Sequence, residues 1–335
     1  MPVINVAIAG FGFMGQTHAR CMALHPGMQV VGIADTDDEA TARRARELGL
    51  DVPVAVSLEQ LLDEVDVAFV DLCLPTNLHR SQAEVAFARG KHVFCEKPLA
   101  LTLADAEAMV EGAQGAGVFL MVGHCLRFWP EYRELERVVR GGELGSLLSL
   151  EMTRRAGRPG YTVGDWVADP ARCVGAALDL HIHDADFLNH LLGLPPAVTS
   201  CGSLYPSGWD HISTIYHYDT CRVSAVGGWD HPASWGFRME YHAVFEGGAL
   251  DFDSSASPSL WRCESGGRPV PVSLPSIGVA APTGCEAYAA ELDYFAARIA
   301  GGEPPQTATG AQAAQSLCLV LAEIESARTG RTVNL

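Results

Sequence analysis

Basic residues are scarce in this chain: 23 Lys and Arg stand against 40 Asp and Glu over 335 residues, a formal net charge of −17. That balance argues against non-specific binding to nucleic acid or to an anionic membrane. No run of about 20 apolar residues occurs, so no transmembrane helix is expected. The ten cysteines form no C-x-x-C pair and no metal-ligand spacing, and no metal site is expected. Cys73 and Cys95 lie in apolar, strand-like runs, where cysteine behaves as a small buried hydrophobe. No signal peptide precedes the first strand-like segment, so reduced thiols and a cytoplasmic location are expected. Internal repeats and low-complexity segments are also lacking. What remains is an ordinary globular balance, 48% hydrophobic and 19% charged. The length suits two domains.

The strongest signal is Gly10-Phe11-Gly12-Phe13-Met14-Gly15. A short apolar run, Val6 to Ala9, leads into this Gly-x-Gly-x-x-Gly, and a helix-like segment follows. Val30 to Ala34 then ends in Asp35, 20 positions beyond Gly15. Strand, glycine turn, helix, strand and acid within one βαβ unit are the fingerprint of a dinucleotide site. Gly10 permits the tight turn, Gly12 lets a pyrophosphate approach the backbone, and Gly15 lets helix and strand pack closely. The phosphates are expected at the helix N-terminus, where N–H groups and the helix dipole favour an anion. Asp35 would accept hydrogen bonds from the ribose hydroxyls and repel a 2′-phosphate. Thr36, Asp37 and Asp38 follow it without a nearby cation, so NAD is expected over NADP.

The first ~120 residues alternate strand candidates (4–9, 30–34, 67–72, 92–95 and 119–122) with helix candidates near 16–24, 39–48, 58–62, 79–89 and 103–114. Such alternation predicts a doubly wound parallel sheet, with ligands at the carboxyl ends of its strands. After about residue 145 the pattern becomes β-rich. Strands are expected at 147–154, 197–203, 211–218, 220–227, 238–246 and 249–254, with hairpin turns at Asp219-Thr220 and Gly247-Gly248. A helix is expected over 178–192, closed by Gly193 and Pro195-Pro196. Two more helices are expected at 286–300 and 311–329. The fold class is therefore α/β in the N-terminal part, followed by an α+β domain with a large, mostly antiparallel sheet. The division is placed at 1–123 and 124–335, with the C-terminal helix able to pack back on the first domain.

Two segments carry candidate chemistry. In Cys95-Glu96-Lys97-Pro98, Lys97 falls at a strand tip, where an ammonium can donate to a substrate oxygen or relay a proton. In the 178–192 segment, Asp179 and His183 are four apart and would share a helix face, as would Asp186 and His190. A histidine beside a carboxylate suits a general base. A metal site using His181 and His183 is disfavoured, because positions two apart do not share a helix face.

Together these segments resemble the Gfo/Idh/MocA oxidoreductases, which include inositol and other sugar dehydrogenases. The likeness runs through Gly10 to Gly15, Pro75-Thr76-Asn77-Leu78-His79, Glu96-Lys97-Pro98, His124-Cys125-Leu126-Arg127-Phe128, Asp179-Leu180-His181-Ile182-His183 and Ser326-Ala327-Arg328-Thr329-Gly330. The resemblance implies a Rossmann domain and a second domain whose sheet forms a homo-oligomer interface, a dimer or tetramer. It implies that Lys97 is the catalytic lysine and that Glu96 lies near the nicotinamide. Asp179 and His183 match the family's Asp-x-x-x-His pair, with His183 as proton acceptor. Leu74, Pro75, Thr76, Asn77 and His79 would contact the adenosine–ribose side or support that loop, and Arg127 would lie near nicotinamide and substrate. Gly175-Ala176-Ala177 replaces a more glycine-rich stretch, and His181 replaces a small residue.

The expected activity is NAD-dependent oxidation of a secondary alcohol on a sugar, cyclitol or polyol. Lys97, Arg127, Trp166, Asp179 and His183 are the substrate-side candidates. Tyr161, Arg172, Trp229, His231, Trp235 and Tyr241 are weaker ones that could equally pack on the sheet or between subunits. Two alternatives stand beside this reading. One is a same-fold enzyme that keeps NAD bound and epimerises or hydrolyses by transient oxidation. The other is a non-catalytic nucleotide sensor.

Overall fold

The computed structural model describes residues 3–160 and 162–335, and the chain divides into two units. The first comprises residues 1–128, 161–164 and 277–314; the second comprises 129–160, 165–276 and 315–335. Tyr161 lies outside the described residues.

In the first unit the elements alternate: β1 (Ile4–Ala9), α1 (Phe13–Leu24), β2 (Met28–Ala34), α2 (Asp38–Glu47), β3 (Val54–Ala55), α3 (Leu58–Glu64), β4 (Phe69–Leu72), α4 (His79–Ala88), β5 (His92–Cys95), α5 (Leu103–Ala116) and β6 (Leu120–Val122). The strands form one sheet in the order β3-β2-β1-β4-β5-β6, parallel throughout. Val6, Ile8, Phe69, Val70, Val93 and Phe94 are fully buried, as expected of strands covered by helices on both faces. Strand β3 has only two residues, too few for a period to show.

Residues 277–314 were expected in the second domain but group with the first unit. Packing and backbone pairing account for this. Phe295, which follows in a later helix, packs edge-on against Phe69 at 5.2 Å and lies 5.9 Å from Phe94. The Val122 N–H donates to the Ala308 carbonyl at 2.8 Å, extending the edge of β6.

The second unit contains α6 (Pro130–Gly141), β7 (Leu147–Gly157), α7 (Ala176–Asp179), α8 (Ile182–Leu192), β8 (Ala197–Tyr205), β9 (Gly208–His217), β10 (Arg222–His231), β11 (Arg238–Phe245), β12 (Gly248–Asp253), β13 (Leu260–Glu264) and β14 (Val270–Pro271). Later come α9 (Glu286–Gly301, in the first unit), α10 (Gly310–Thr329) and β15 (Val333–Asn334). The nine strands run β14-β13-β12-β11-β7-β10-β9-β8-β15, antiparallel except for the β7–β10 pair. Both expected hairpin turns sit between paired strands, at 219–220 and at 247. One sheet face packs on an aromatic cluster: Tyr132 meets Phe187, Tyr241 and Phe252 edge-on at 4.9, 5.4 and 5.6 Å. Such pairs add to the burial energy of the rings themselves.

Beside that cluster, Arg154 forks onto Asp184 with two hydrogen bonds, at 3.0 and 2.9 Å, and both side chains are buried. Removing one partner leaves an uncompensated buried charge, so Asp184→Ala should cost about 3–5 kcal/mol in denaturant unfolding. A loss under 1 kcal/mol would mean that Arg154 is solvated. At the rim of the same unit, Glu136 accepts from His190 and Arg140, and these bonds outweigh burial to hold its pKa at about 2. A depressed carboxylate pKa contributes stability above its unfolded value and loses it as pH falls through the folded one. Stability should therefore drop between about pH 4.5 and pH 2, and a Glu136→Gln variant should lack that component of the drop.

Candidate active site

Every nucleotide-side candidate stands just beyond the carboxyl end of a parallel strand of the first unit. Gly10 to Gly15 follow β1, Asp35 follows β2, Leu74 to His79 follow β4, Glu96 and Lys97 follow β5, and Arg127 follows β6. The three glycines differ in what holds them. Gly10 has φ +88°, and a Cβ there would lie 2.5 Å from the Cys73 carbonyl oxygen. A Cβ on Gly15 would collide with the Gly10 carbonyl oxygen. At Gly12 an added Cβ would meet nothing within 4 Å. Gly10 and Gly15 are thus required by the fold, whereas Gly12 faces open space at the start of α1. That helix begins on Gly12 with no side-chain cap and no acidic residue in its first turn. An uncapped N-terminus beside a side-chain-free backbone fits a pyrophosphate.

Asp35 is already oriented. Its Oδ2 accepts from the Phe11 N–H at 2.8 Å and its Oδ1 from the Asp37 N–H at 3.3 Å. Each carboxylate oxygen retains a lone pair for a ribose hydroxyl. Gln16 ties the same loop through bonds to the Phe11 and Gly12 carbonyls, at 3.2 and 3.1 Å. Phe13, Thr36 and Asn77 are exposed, Met14, Leu74 and Pro75 are half-buried, and Thr76 is buried. His79 is fully buried, with Nε2 at 2.8 Å from the Leu74 carbonyl and Nδ1 at 3.0 Å from that of Pro98. It therefore braces the β4 loop against the loop that carries Lys97, and burial lowers its pKa.

Lys97 is half-buried, and its peptide bond to Pro98 is cis. Its backbone N–H donates to Glu96 Oε2 at 3.1 Å. Glu96 is buried against Gly123, where a Cβ would lie 3.1 Å from Oε1. Burial works against its charge, but nearby His18 and Lys97 prevail and hold its pKa below the ordinary carboxylate value. Arg127 is buried, and its guanidinium donates to Gln312 Oε1 at 2.6 Å.

In the second unit the expected continuous helix over 178–192 is broken. Helix α7 ends at Asp179, and the His181 N–H reaches back five residues to the Ala176 carbonyl at 2.8 Å. The Asp184 N–H then bonds His181 at the shorter spacing of three. The two candidates thus flank a break between helices, Asp179 ending α7 and His183 in the first turn of α8. Turns widened to five residues are frequent at functional sites. Both side chains are half-buried. The members of the other expected pair have these partners: Asp186 accepts from Ser316 at 2.7 Å, and His190 pairs with Glu136 at 3.0 Å. His181 is fully buried, with Nε2 on Glu323 at 2.6 Å and the Tyr216 hydroxyl at 3.2 Å. It is a core histidine.

Trp166 is half-buried against Val167, Cys173, Ala176 and Trp229. Trp229 and Tyr241 are buried, the latter donating to the Glu131 carbonyl at 2.8 Å. Trp235 is exposed beneath the Arg238 guanidinium. His231 lies 3.4 Å from Asp230.

Two family models match the chain: one described as an oxidoreductase family with an NAD-binding Rossmann fold, over residues 4–124, and the Gfo/Idh/MocA C-terminal domain, over 132–250. The chain belongs to the Gfo/Idh/MocA oxidoreductase family. It is 36% identical over 171 residues to 1,5-anhydro-D-fructose reductase of Ensifer adhaerens, covering 51% of each chain. It is 31% identical over 203 residues to 2,7-anhydro-N-acetylneuraminate hydratase of Mediterraneibacter gnavus, covering 60% of this chain and 53% of that one. The match spans about half the length of these two curated relatives. Among solved structures, an Agrobacterium radiobacter oxidoreductase in complex with NAD+, L-tartaric acid and magnesium shares the fold. Its TM-score is 0.85 at 21% identity, covering 99% of this chain and 98% of that one.

The glycines give a direct test. Gly12→Ala should leave the melting temperature within about a degree of wild type, since surface changes away from packing are near neutral. It should nevertheless weaken NAD binding, followed by fluorescence titration. Gly15→Ala should lower the melting temperature markedly. The reverse pattern would mean that Gly12 is a structural glycine.

Proposed function

We propose that this protein is an NAD-dependent dehydrogenase that oxidises a secondary alcohol of a sugar, cyclitol or polyol. The observation that carries this reading is the alignment of the glycine turn, Asp35 and Lys97 at the carboxyl ends of one parallel sheet, within a chain of this family. When bound, NAD supplies the hydride acceptor. The chain's own part is acid–base and positional. Lys97, fixed at its backbone by Glu96, donates to the substrate oxygen as negative charge develops there. His183 takes the hydroxyl proton, and Asp179 orients it or binds a neighbouring hydroxyl. Arg127 and Trp166 belong to the substrate side. Asp35 favours NAD over NADP, because its carboxylate, held by two N–H groups, would face a 2′-phosphate.

Assembly and location belong to the same reading. Exposed Leu204 (β8), Ile215 (β9) and Val244 (β11), all on sheet strands, support a homo-oligomer formed through the C-terminal sheet. Free thiols at all ten cysteines support a reducing cytoplasm. Among the described residues no helix is long and apolar enough to cross a membrane.

A second reading has a specific support: one relative is named a hydratase, a reaction without net redox change. A tightly held cofactor used for transient oxidation would serve such chemistry. A spectrophotometric screen of sugars and polyols with NAD and with NADP separates the two, because only the dehydrogenase accumulates NADH. In the active assay, Lys97→Ala should lower kcat about 10²–10⁴-fold and leave NAD affinity nearly unchanged. Wild-type turnover in that variant, or equal use of NADP, would overturn the corresponding assignment.

A further inference from the structure

Beneath the Lys97 loop lies a cluster of which the proposed reaction uses only Glu96, as the brace of Lys97. His18 from α1, Asp71 from β4, Glu96 from the end of β5 and Glu291 from α9 are all buried within the first unit. Asp71 grips His18 Nδ1 at 2.9 and 3.2 Å. That bond fixes the tautomer and points Nε2 away, toward Glu96 Oε1 at 3.2 Å. The two atoms are close but not in hydrogen-bond geometry, and among the described residues neither has a hydrogen-bond partner. The same holds for both oxygens of Glu291. One ligand atom from each of His18, Glu96 and Glu291 lies within 4.8 Å of the others.

Three carboxylates around one imidazole, shut off from water, require positive charge. Protons can supply it. Burial opposes charge on His18, yet Asp71 and Cys73 raise its pKa well above the ordinary value, while burial and Glu96 push Glu291 well above its own. One divalent cation supplies the same two charges and coordinates the convergent lone pairs directly. Metal–ligand bonds of about 2.0–2.2 Å give ligand-to-ligand edges near 3.4 Å in a tetrahedral site. The observed 3.2 Å edge and 4.8 Å limit need only small side-chain adjustment. Asp71 behind the histidine is the outer-shell carboxylate that metal-bound imidazoles carry. A neighbouring set of His18, Asp71 and Cys73 is less suited: its members already hydrogen-bond one another, and burial pushes the Cys73 thiol up.

We propose that His18, Glu96 and Glu291 bind one divalent transition-metal cation, zinc being the best match to a mixed nitrogen and oxygen set. The site is a staple. It joins the glycine-loop helix α1 to α9 and to the residue whose carboxylate holds the Lys97 N–H. The metal would act on the position of Lys97 and on stability, and it takes no part in the chemistry. The spacing of 18, 96 and 291 hides such a site from any sequence motif, which is why no metal was expected.

The test is elemental analysis of the full chain, purified without immobilised-metal chromatography from zinc-supplemented cells. About one zinc per chain should be found. Glu291→Gln and His18→Gln should each lose it, and chelation should lower the melting temperature until zinc is returned. Zinc-edge X-ray absorption on the wild type should show nitrogen and oxygen neighbours and no sulfur. It decides the matter even where a variant fails to fold. Metal-free wild type with no zinc-dependent shift in melting, equal zinc in wild type and folded variants, or a sulfur shell would each overturn the proposal.

Discussion

The approach of Gly15 to the Gly10 carbonyl oxygen is the contact on which the first unit turns. It brings α1 against the end of β1 with no side chain between them. Three consequences follow from that one placement. The uncapped N-terminus of α1 faces the loop after β1, Phe11 presents its N–H to Asp35, and His18, one turn further along, is driven into the interior beside Asp71. The same helix therefore offers an anion-binding end to ligand and a buried imidazole to the core. Any side chain at Gly15 would disturb both.

The first unit was legible because its signals are local. Apolar runs, turn glycines and an acid at fixed spacing each act within one βαβ unit, and parallel strands buried on both faces leave continuous apolar runs. The β-rich half was legible as strands, but β13 and β14 carry too little periodicity at the sheet edge to stand out. Distant partners decide what the local pattern leaves open. His181 is buried by Glu323, 142 residues away, and no pattern near His181 announces it. The wide turn at Ala176 to His181 is likewise a tertiary choice. Propensity alone continues the helix, whereas the chain ends α7 at Asp179 and starts α8 at Ile182. Residues 277–314 belong with the first unit because Phe295 finds Phe69, a contact that only the folded chain creates.

Buried charge is handled differently in the two units. In the second, two buried acids meet cationic or titratable partners singly: Arg154 meets Asp184 with a bidentate fork, and His181 meets Glu323 one to one. Such pairs return little net stability, since desolvation offsets attraction, but they penalise alternative packings heavily. In the first, one imidazole faces three carboxylates. An imbalance of that kind directly below Lys97 has an electrostatic consequence when protons, rather than a cation on Glu96, neutralise it. Glu96 remains ionised through proximity to His18 and Lys97, and so keeps a negative charge beside the lysine.

Hydride removal from a secondary alcohol needs the same lysine, base and cofactor whether the ketone leaves or is consumed on the protein. The lysine and the base therefore have no reason to differ between a dehydrogenase and an enzyme that recycles its cofactor. The difference must lie in how long the nucleotide stays, and residence time is set by the contacts around the phosphates and ribose. Here Gly12 leaves the pyrophosphate side open, and exposed Phe13, Thr36 and Asn77 border the loops. Those loops, and not the catalytic residues, are where the two chemistries would part.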